Sequence, residues 1–431
     1  MERKRPNYRM SRAVRSAVCI LSLVLLCAVA AFSDWLHRIP LAHNVLAPNF
    51  RTSAPVNEYT VVPGRKFAFL ASCNRGTGKA VLNYALHFKR VWHIETLHIC
   101  LGTSSNPQLI DQLRDYFGIQ NVITLSPSVL ATSGPSAHWP NASTIDQILE
   151  AHRVTDLYIA KAGNPIDGVW SLLPGVRNLI HAVFDATAPH GDAFAKISKE
   201  VPGNGVPIVP RMIRPSTRHG STLRWSLNIP TDATVFCRHG GSTTFSIRMA
   251  HIAVGSVAAS NPSTYFLFLN TSPFCCSNLS NVIHLSESVD EEYLGRFIRS
   301  CDAMVHARAD GETFGQAIGE FAVTNKPVFT YGTPPHGASA HLERLGDKAQ
   351  IYTSAEELIT KLVTFNRTVA AALDWHTAYD ECTPTAVMKS FWHTFVSLDS
   401  FSEYSPRWNI RTFHWKFPIK TAAQNAKKKK K

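Results

Sequence analysis

Two glutamates, Glu312 and Glu320, are the side chains of this sequence best spaced to hold a hydroxyl-rich ligand. Each oxygen of a carboxylate accepts hydrogen bonds, so one carboxylate can grip two neighbouring hydroxyl groups. The helix pattern that carries Glu320 opens at Gly315, and a helix start offers free N–H groups and a partial positive charge to a phosphate. The segment therefore predicts a site for a ligand with both hydroxyl and phosphate groups.

The elements that must position these glutamates are a strand, a tight acidic loop, a helix and a second strand. A short apolar pattern follows Asp302, Gly311 marks the loop, and residues 326–331 predict the next buried strand. Such a unit is typical of a parallel α/β sheet, which binds ligands at the carboxyl ends of its strands. The bare spacing would equally suit two solvated acids at a helix start, but the flanking elements favour a binding site.

In this context Glu312 and Glu320 resemble the E-x7-E motif of retaining glycosyltransferases with the GT-B fold, most nearly the family-4 group. The resemblance implies an α/β chain of two Rossmann-like domains that face each other across a cleft. It implies that Glu312 is catalytic and lies by the donor sugar, and that Glu320 holds the ribose of the nucleotide. Phe314 and Gly315 belong to the same motif and are expected beside the donor.

The resemblance also implies basic groups that hold the diphosphate of the donor. Arg238, at the end of the second domain's first predicted strand, is similar to the arginine of the family's phosphate clamp. The family usually adds a lysine a few residues later. Here Ser242, Thr243 and Thr244 occupy that stretch, and the next cation is Arg248. The two-cation clamp is therefore incomplete, and a surface arginine is the alternative for Arg238.

A histidine and two glycines of the first domain complete the expected site. His181 lies on a predicted strand and resembles a histidine that family-4 enzymes carry near the reaction centre, with His190 as the alternative. A structural role is an equal alternative for either histidine. Gly76 and Gly78 lie in a turn predicted between the first strand and a helix that begins at Ala80. They resemble the glycine loop that faces the donor phosphates or the acceptor.

The sequence contains no Asp-x-Asp pair. Glycosyltransferases with a single Rossmann domain usually use that pair to hold Mn²⁺ against the diphosphate, whereas protein cations can do the same work in a GT-B enzyme. We therefore expect an enzyme that works without a metal and without a cofactor, with the nucleotide-sugar as co-substrate. The expected acceptor is a glycan, a glycoprotein or a lipid.

The net charge of +13 comes from the two ends of the chain. Residues 1–15 and 420–431 hold 12 of the 44 basic residues and 1 of the 31 acidic ones. The other 32 basic and 30 acidic residues nearly balance, so the body of the chain has no basic excess to contact a phosphate backbone. Nucleic acid is therefore not an expected partner.

An uncharged apolar run predicts a membrane anchor near the amino end. Nothing charged lies between Arg15 and Asp34, and the cations up to Arg15 place the amino end in the cytosol by the positive-inside rule. We expect residues 16–33 to be a signal anchor, with the body in the lumen of the Golgi or endoplasmic reticulum. A signal peptide cleaved near residues 28–30 and a mitochondrial presequence are the alternatives.

Sequons and cysteines also bear on a lumenal body. Four Asn-x-Ser/Thr triplets give it modest support, at Asn141, Asn270, Asn278 and Asn366. Seven of the nine cysteines lie outside the anchor, an odd number, so at least one is free or pairs between chains. Disulfides can form in an oxidising lumen, and the sequence leaves their pairing open.

A chain of 431 residues that is 45% hydrophobic has room for two packed domains. The resemblance is specific over residues 234–352 and loose over residues 66–205. A sugar-nucleotide epimerase of the same fold is the rival enzyme, and a catalytically inactive glycan-binding or scaffold protein is the rival outside the enzymes.

The predicted division is a cytosolic basic tail at 1–15, the anchor at 16–33, a stem at 34–65, a Rossmann-like acceptor domain at 66–205, a Rossmann-like nucleotide-sugar donor domain at 206–373, a helical return at 374–400 and a basic tail at 401–431.

Overall fold

The structure is a computed structural model, and it describes residues 64–397 except 73–74, 103–104, 135, 216–218, 275, 277 and 335–337. The predicted anchor at 16–33 and the predicted basic tails lie outside the described residues, as does nearly all of the predicted stem. Within the described part, no helix is both long enough and apolar enough to cross a membrane.

The first domain is built on a parallel sheet of six strands in the order β3-β2-β1-β4-β5-β6. Its crossover connections include three α-helices. The strands are β1 (Phe67–Ala71), β2 (Thr96–Leu101), β3 (Val122–Leu125), β4 (Asp156–Lys161), β5 (Arg177–Ala182) and β6 (Ala193–Lys196), and the helices are α1 (Arg75–His87), α2 (Pro107–Phe117) and α3 (Ala142–Ala151).

The second domain repeats this topology. Its parallel sheet has the order β14-β12-β10-β7-β8-β9, and β11 and β13 pair separately as two-residue strands. The strands are β7 (Thr234–His239), β8 (Thr264–Leu269), β9 (Val282–Leu285), β10 (Ala303–His306), β11 (Gly311–Glu312), β12 (Val328–Tyr331), β13 (Ala338–Ser339) and β14 (Ala349–Tyr352), and the helices are α4 (Arg248–Ser260), α5 (Glu291–Ser300), α6 (Gln316–Val323), α7 (Ala340–Leu345), α8 (Ala355–Val363) and α9 (Arg367–Ala372).

In each sheet the first and fourth main strands lie at the centre, β1 beside β4 and β7 beside β10, and the strand order reverses between them. Every residue of β1 is buried, as is every residue of β2 and β4. Such continuous burial is typical of parallel strands covered by helices on both faces. The two Rossmann-like domains expected from the sequence are confirmed by these sheets. In each, the point where the strand order reverses, β1 beside β4 and β7 beside β10, is where this fold class binds ligands.

One disulfide lies inside the second domain. Cys237 of β7 is bonded to Cys301, two residues before β10, which is the strand that pairs with β7. Cys100 is also disulfide-bonded. Cys276 and Cys382 are free thiols, and Cys382 is buried. The sequence had left this pairing open.

The chain ends by packing back on the first domain. Helix α10 (Pro384–Phe391) is followed by a π-helical turn, Trp392–Val396. Phe391 and Phe395 belong to the same buried cluster as Tyr84 and the β1 phenylalanines. The helix lies within the helical return predicted at 374–400, and it changes to the π-helical turn after Phe391.

Three features differ from the sequence-based expectation. Helix α1 begins at Arg75 and not at Ala80, so the expected glycine turn is the first turn of the helix. Strand β6 was not predicted. The chain still pairs with it at Ile208, bridged to Lys196, so the crossing to the second domain comes after the predicted boundary at 205.

Candidate functional site

A cavity of about 390 Å³ lies between the two domains. Its wall on the first-domain side includes Gly76, Thr77 and Lys79 from the start of α1. Its wall on the second-domain side is formed largely by the residues that follow the carboxyl ends of β7 and β10 and by the start of α6. These are the strand ends at which the fold class binds its ligands.

Glu320 lies on α6 and is buried, with its carboxylate reached from both domains. Lys79 Nζ of the first domain lies 2.6 Å from Oε1, and His239 Nε2 of the second domain lies 3.1 Å from Oε2. Gln316 Nε2 donates to Oε1 over 3.2 Å. Burial alone would raise the pKa of Glu320, but the charge of Lys79 and the contact with His239 hold it well below its usual range. The carboxylate is therefore ionised at neutral pH.

Glu312 ends the short strand β11 and also faces the cavity. His306 Nε2 lies 3.4 Å from Oε1, and Arg308 Nη1 donates to Oε2 over 3.2 Å. Burial acts to raise the pKa of Glu312, yet the hydrogen bond and charge of His306 and the charge of Arg308 bring it down to about 2. Glu312 is thus a second ionised carboxylate on the same cavity wall.

Hydrogen bonds behind Glu312 fix His306 in one orientation. His306 Nδ1 lies 2.9 Å from the Thr330 hydroxyl, and His341 Nε2 lies 3.2 Å from the same hydroxyl. One hydroxyl has one proton to donate, so Thr330 donates to one of the two rings and accepts from the other. These contacts hold the ring with Nε2 directed at Glu312.

Phe314 and Gly315 lie between the two glutamates and line the cavity. The Phe314 ring is buried under the guanidinium of Arg344, whose Cζ lies 5.0 Å from the ring centroid. Gly315 precedes α6 with φ of 83°, a left-handed conformation that favours glycine. A Cβ there would lie 3.1 Å from the Tyr379 hydroxyl and 3.2 Å from His341 Cβ, so the space is closed as well.

Arg238 lies at the end of β7 and borders the cavity, but its guanidinium is held by the protein. It donates to the hydroxyls of Thr271 and Thr244 and, over 2.9 Å, to the carbonyl of Gly241. Arg248, the next cation in the sequence, begins α4 and is not among the residues that line the cavity. The structure therefore supplies no second cation from this loop.

The structure does not bring His181 to the cavity. It lies on β5 in the core of the first domain, with Nδ1 2.7 Å from the Tyr158 hydroxyl and Nε2 2.9 Å from the carbonyl of Val209. Burial lowers its pKa to about 3, so the ring is neutral and both nitrogens are occupied. His190, the alternative, is buried with Nδ1 on the carbonyl of Ala188 and does not line the cavity either. These contacts suit structural roles.

Only one of the two glycines of the expected loop lies at the cavity. Gly76 lines the cavity, whereas Gly78 is buried in α1 and does not. A Cβ at Gly76 would lie 2.8 Å from Nη1 of Arg211, which belongs to the segment that crosses between the domains. A side chain at position 76 would therefore collide with that guanidinium.

The sequence-based prediction left out several cavity residues, among them Lys79, Arg211, His239 and His306. His239 and His306 are the last residues of β7 and β10, and the rule that ligands bind at strand ends could have found both. Lys79 was assigned to a turn and is helical. Arg211 lies in an irregular crossing segment with no periodic signal. Among the described residues, no group of three or more His, Cys, Asp or Glu side chains is arranged to hold a metal ion.

Comparison with known proteins places the chain by its fold. No protein-family model matches it, and no curated protein matches it. The solved structure of Anabaena HepE in complex with UDP and glucose is similar with a TM-score of 0.57 at 13% identity, over 78% of this chain and 100% of that one. WaaG, a glycosyltransferase involved in lipopolysaccharide biosynthesis, gives 0.55 at 13% identity, over 77% and 100%. A candidate UDP-N-acetylglucosamine 2-epimerase from Listeria monocytogenes gives 0.50 at 11% identity, over 79% and 99%.

At sequence identities of 11–13%, the structural similarity establishes the fold alone. The chain has the GT-B architecture of two parallel-sheet α/β domains around a cleft, as the resemblance implied.

Proposed function

We propose that this chain is a retaining glycosyltransferase that moves a sugar from a nucleotide-sugar donor to a glycan, glycoprotein or lipid acceptor. The observation that carries the proposal is that Glu312 and Glu320 share one wall of the interdomain cavity and are both ionised. The similar HepE structure was solved with UDP and glucose, which supports a nucleotide-sugar as the ligand class.

In this proposal Glu320 holds the ribose. Its carboxylate lies on α6, where Lys79, His239 and Gln316 hold it in place, and its two oxygens can accept from two vicinal hydroxyls. In the structure, Lys79 Nζ lies 2.6 Å from Oε1. The ribose therefore displaces Lys79, whose ammonium is released toward the phosphates.

Glu312 lies by the transferred sugar. A sugar that leaves its nucleotide develops oxocarbenium character, and a carboxylate that stays ionised stabilises that positive charge. The pKa of about 2 keeps Glu312 ionised through the physiological range. The retaining outcome rests on the resemblance of the Glu312 segment to the E-x7-E motif.

The departing diphosphate needs positive charge, which the protein can provide without a metal. Lys79, Arg211 and Arg238 all line the cavity, and α1 begins there. Cations and helix starts both stabilise phosphate charge. We propose metal-independent transfer, in which turnover survives chelation by EDTA.

We propose that the body works in the lumen of the secretory pathway. The buried Cys237–Cys301 disulfide supports an oxidising compartment, since disulfides are rare in reducing ones. Asn141 and Asn366 are exposed and could carry glycans, whereas Asn270 lines the cavity and donates to the carbonyl of Gly240. Asn270 is therefore not an expected glycan site.

Two substitutions test the roles of the glutamates separately. Glu320→Ala should weaken nucleoside diphosphate binding by about 1–3 kcal/mol, typical of hydrogen bonds to a charged group. Glu312→Gln should instead lower turnover of the donor more than nucleotide binding. Titration calorimetry and donor turnover measure the two effects, with Glu150→Ala, an exposed change on α3, as control. Unchanged binding in a folded Glu320→Ala protein would remove the ribose assignment.

A sugar-nucleotide epimerase is the second candidate, because the similar structures include one assigned to that activity. Transfer forms a new glycosidic bond and frees the nucleoside diphosphate, whereas epimerisation inverts a carbon of the sugar with no acceptor present. NMR of the donor after incubation with the full chain separates the two. An inverted nucleotide-sugar would favour the epimerase, and binding with no change of the donor, with or without acceptors, would favour an inactive glycan-binding protein.

A further inference from the structure

Arg211 is a cavity cation that the resemblance does not account for. It lies in the segment that crosses between the domains, and its Nη2 donates to the Thr77 hydroxyl over 3.0 Å. Lys79 is paired with Glu320 and Arg308 with Glu312. In the described part of the chain, no ion pair joins Arg211 to a carboxylate. A guanidinium stays charged, and removing a charge from water without a partner costs free energy. An anionic ligand would offset that cost.

The start of α1 adds to the positive character beside Arg211. Burial lowers the pKa of Arg211, and Tyr84, Tyr158 and Glu312 act in the opposite direction. The first turn of α1 faces the same space, and a helix start carries a partial positive charge. The Cβ position of Gly76, which adjoins the guanidinium, also lies 4.0 Å from Gln316 Cβ, so this part of the cavity wall meets the start of α6 in the second domain.

Gly76 makes the room that the guanidinium occupies. It lies in the first turn of α1, where alanine would be the better helix former by about 1 kcal/mol. A Cβ at this position would lie 2.8 Å from Arg211 Nη1. That atom is the end of a flexible side chain, so an added methyl group displaces the guanidinium at little cost to the fold.

We propose that Arg211 binds the donor's diphosphate from the first-domain side of the cleft, opposite Arg238, and that Gly76 is required to leave Arg211 in that position. The inference rests on the proposed function and names the group that supplies the second cation, for which Ser242, Thr243 and Thr244 leave no lysine. A guanidinium can donate two parallel hydrogen bonds to a phosphate, which fixes the leaving group as well as neutralising it.

The affinity for a nucleoside diphosphate is compared with the affinity for the corresponding nucleoside. A residue that contacts the phosphates affects only the first, whereas a residue that supports the whole site affects both. The full chain is screened with UDP, GDP, ADP and CDP, and the best of these is titrated beside its nucleoside. Arg211→Gln should weaken the diphosphate about 10- to 100-fold, the range of hydrogen bonds to a charged group, and leave the nucleoside unchanged. Arg214→Gln, a nearby arginine outside the cavity lining, should change neither.

Gly76→Ala gives a second and independent measurement. It should weaken the diphosphate to a similar extent while the melting temperature stays the same or rises. In the Arg211→Gln background it should have no further effect, because the shorter glutamine leaves room for the methyl group. Such non-additivity is the mark of two residues that act through one contact.

The outcomes distinguish this inference from the proposed function. A wild type that binds none of the four diphosphates contradicts both. A wild type that binds one of them, with Arg211→Gln unchanged or with nucleoside and diphosphate equally weakened, overturns the Arg211 assignment alone. Additive effects of Gly76→Ala and Arg211→Gln would overturn the role of Gly76.

Discussion

The carboxylate of Glu312 depends on hydrogen bonds that reach it from β10, β12 and α7. His341 of α7 contacts Thr330 of β12, which contacts His306 of β10, which contacts Glu312. The sequence identified Glu312 because its motif is local, with every diagnostic residue within one short segment. It could not identify this chain of contacts, since the three supporting side chains lie 6 to 29 positions away and no periodicity links them.

The depressed pKa of Glu312 predicts a pH-dependent contribution to stability. Its pKa is about 2 when folded, against 4.5 for the free side chain. A lowered folded pKa stabilises the protein fully above about pH 4.5, and this contribution is lost as the pH falls toward 2. Glu312→Gln should therefore cost about 1–3 kcal/mol near neutrality and progressively less below pH 4.5. Urea unfolding of both proteins between pH 7 and pH 3 measures the difference. A difference that does not vary with pH would contradict the ionised, hydrogen-bonded state.

His181 was predicted to lie near the reaction centre, and its position on β5 explains why the sequence could not show otherwise. His181 has the residue type and strand position that the resemblance calls for, but it faces the core between Tyr158 and Val209. Because every residue of β5 after the first is buried, no polar alternation marks which side chains face the cleft.

At the scale of the elements, the sequence predicted the bounds of several strands correctly but not the start of α1. The sequence predicts strands at 264–269 and 282–285 and a helix at 291–300, and β8, β9 and α5 have these bounds because each is a clear apolar or amphipathic run between turn residues. Helix α1 includes Gly76 and Gly78, which have poor helix propensity, and tertiary packing overrides that preference. Its true start is what brings Thr77 and Lys79 to the cavity.

The Cys237–Cys301 disulfide should stabilise the second domain. It joins β7 to the segment just before β10 and closes a loop of 64 positions. The bond therefore lowers the conformational entropy of the unfolded chain. Replacing both cysteines by alanine should lower the free energy of unfolding by about 2–4 kcal/mol. Denaturant unfolding measures this, with Cys276→Ala as the control because that thiol is free. Peptide mapping that finds Cys237 and Cys301 as free thiols in the native protein would refute the bond.

Helix α10 should contribute to the stability of the first domain although it follows the second in sequence. The Phe391 ring is fully buried, with its centroid 5.0 Å from that of Tyr84 and 5.3 Å from that of Tyr158. Phe391→Ala should cost about 3–5 kcal/mol, as expected for a large core side chain. His393→Ala, an exposed change in the adjoining turn, should cost far less. Similar losses for both variants would show that α10 does not pack in this way.

At the scale of the whole molecule, the resemblance of the Glu312 segment to the GT-B motif implied two Rossmann-like domains. It could not predict how they meet. Lys79 and Glu320 are 241 positions apart and touch across the cleft, a contact that no local pattern encodes. The same holds for Arg211, whose place in the cavity follows from where the crossing segment runs between the two sheets.

The structure of the full chain bound to its preferred nucleoside diphosphate tests the central claim most directly. We expect the nucleotide in the interdomain cavity, with ribose hydroxyls about 2.7–3.2 Å from the Glu320 carboxylate and Lys79 displaced from Oε1. The diphosphate should lie between Arg211 and Arg238. A nucleotide bound outside this cavity, or inside it with the ribose away from Glu320 and Lys79 still paired, would contradict the proposed donor site.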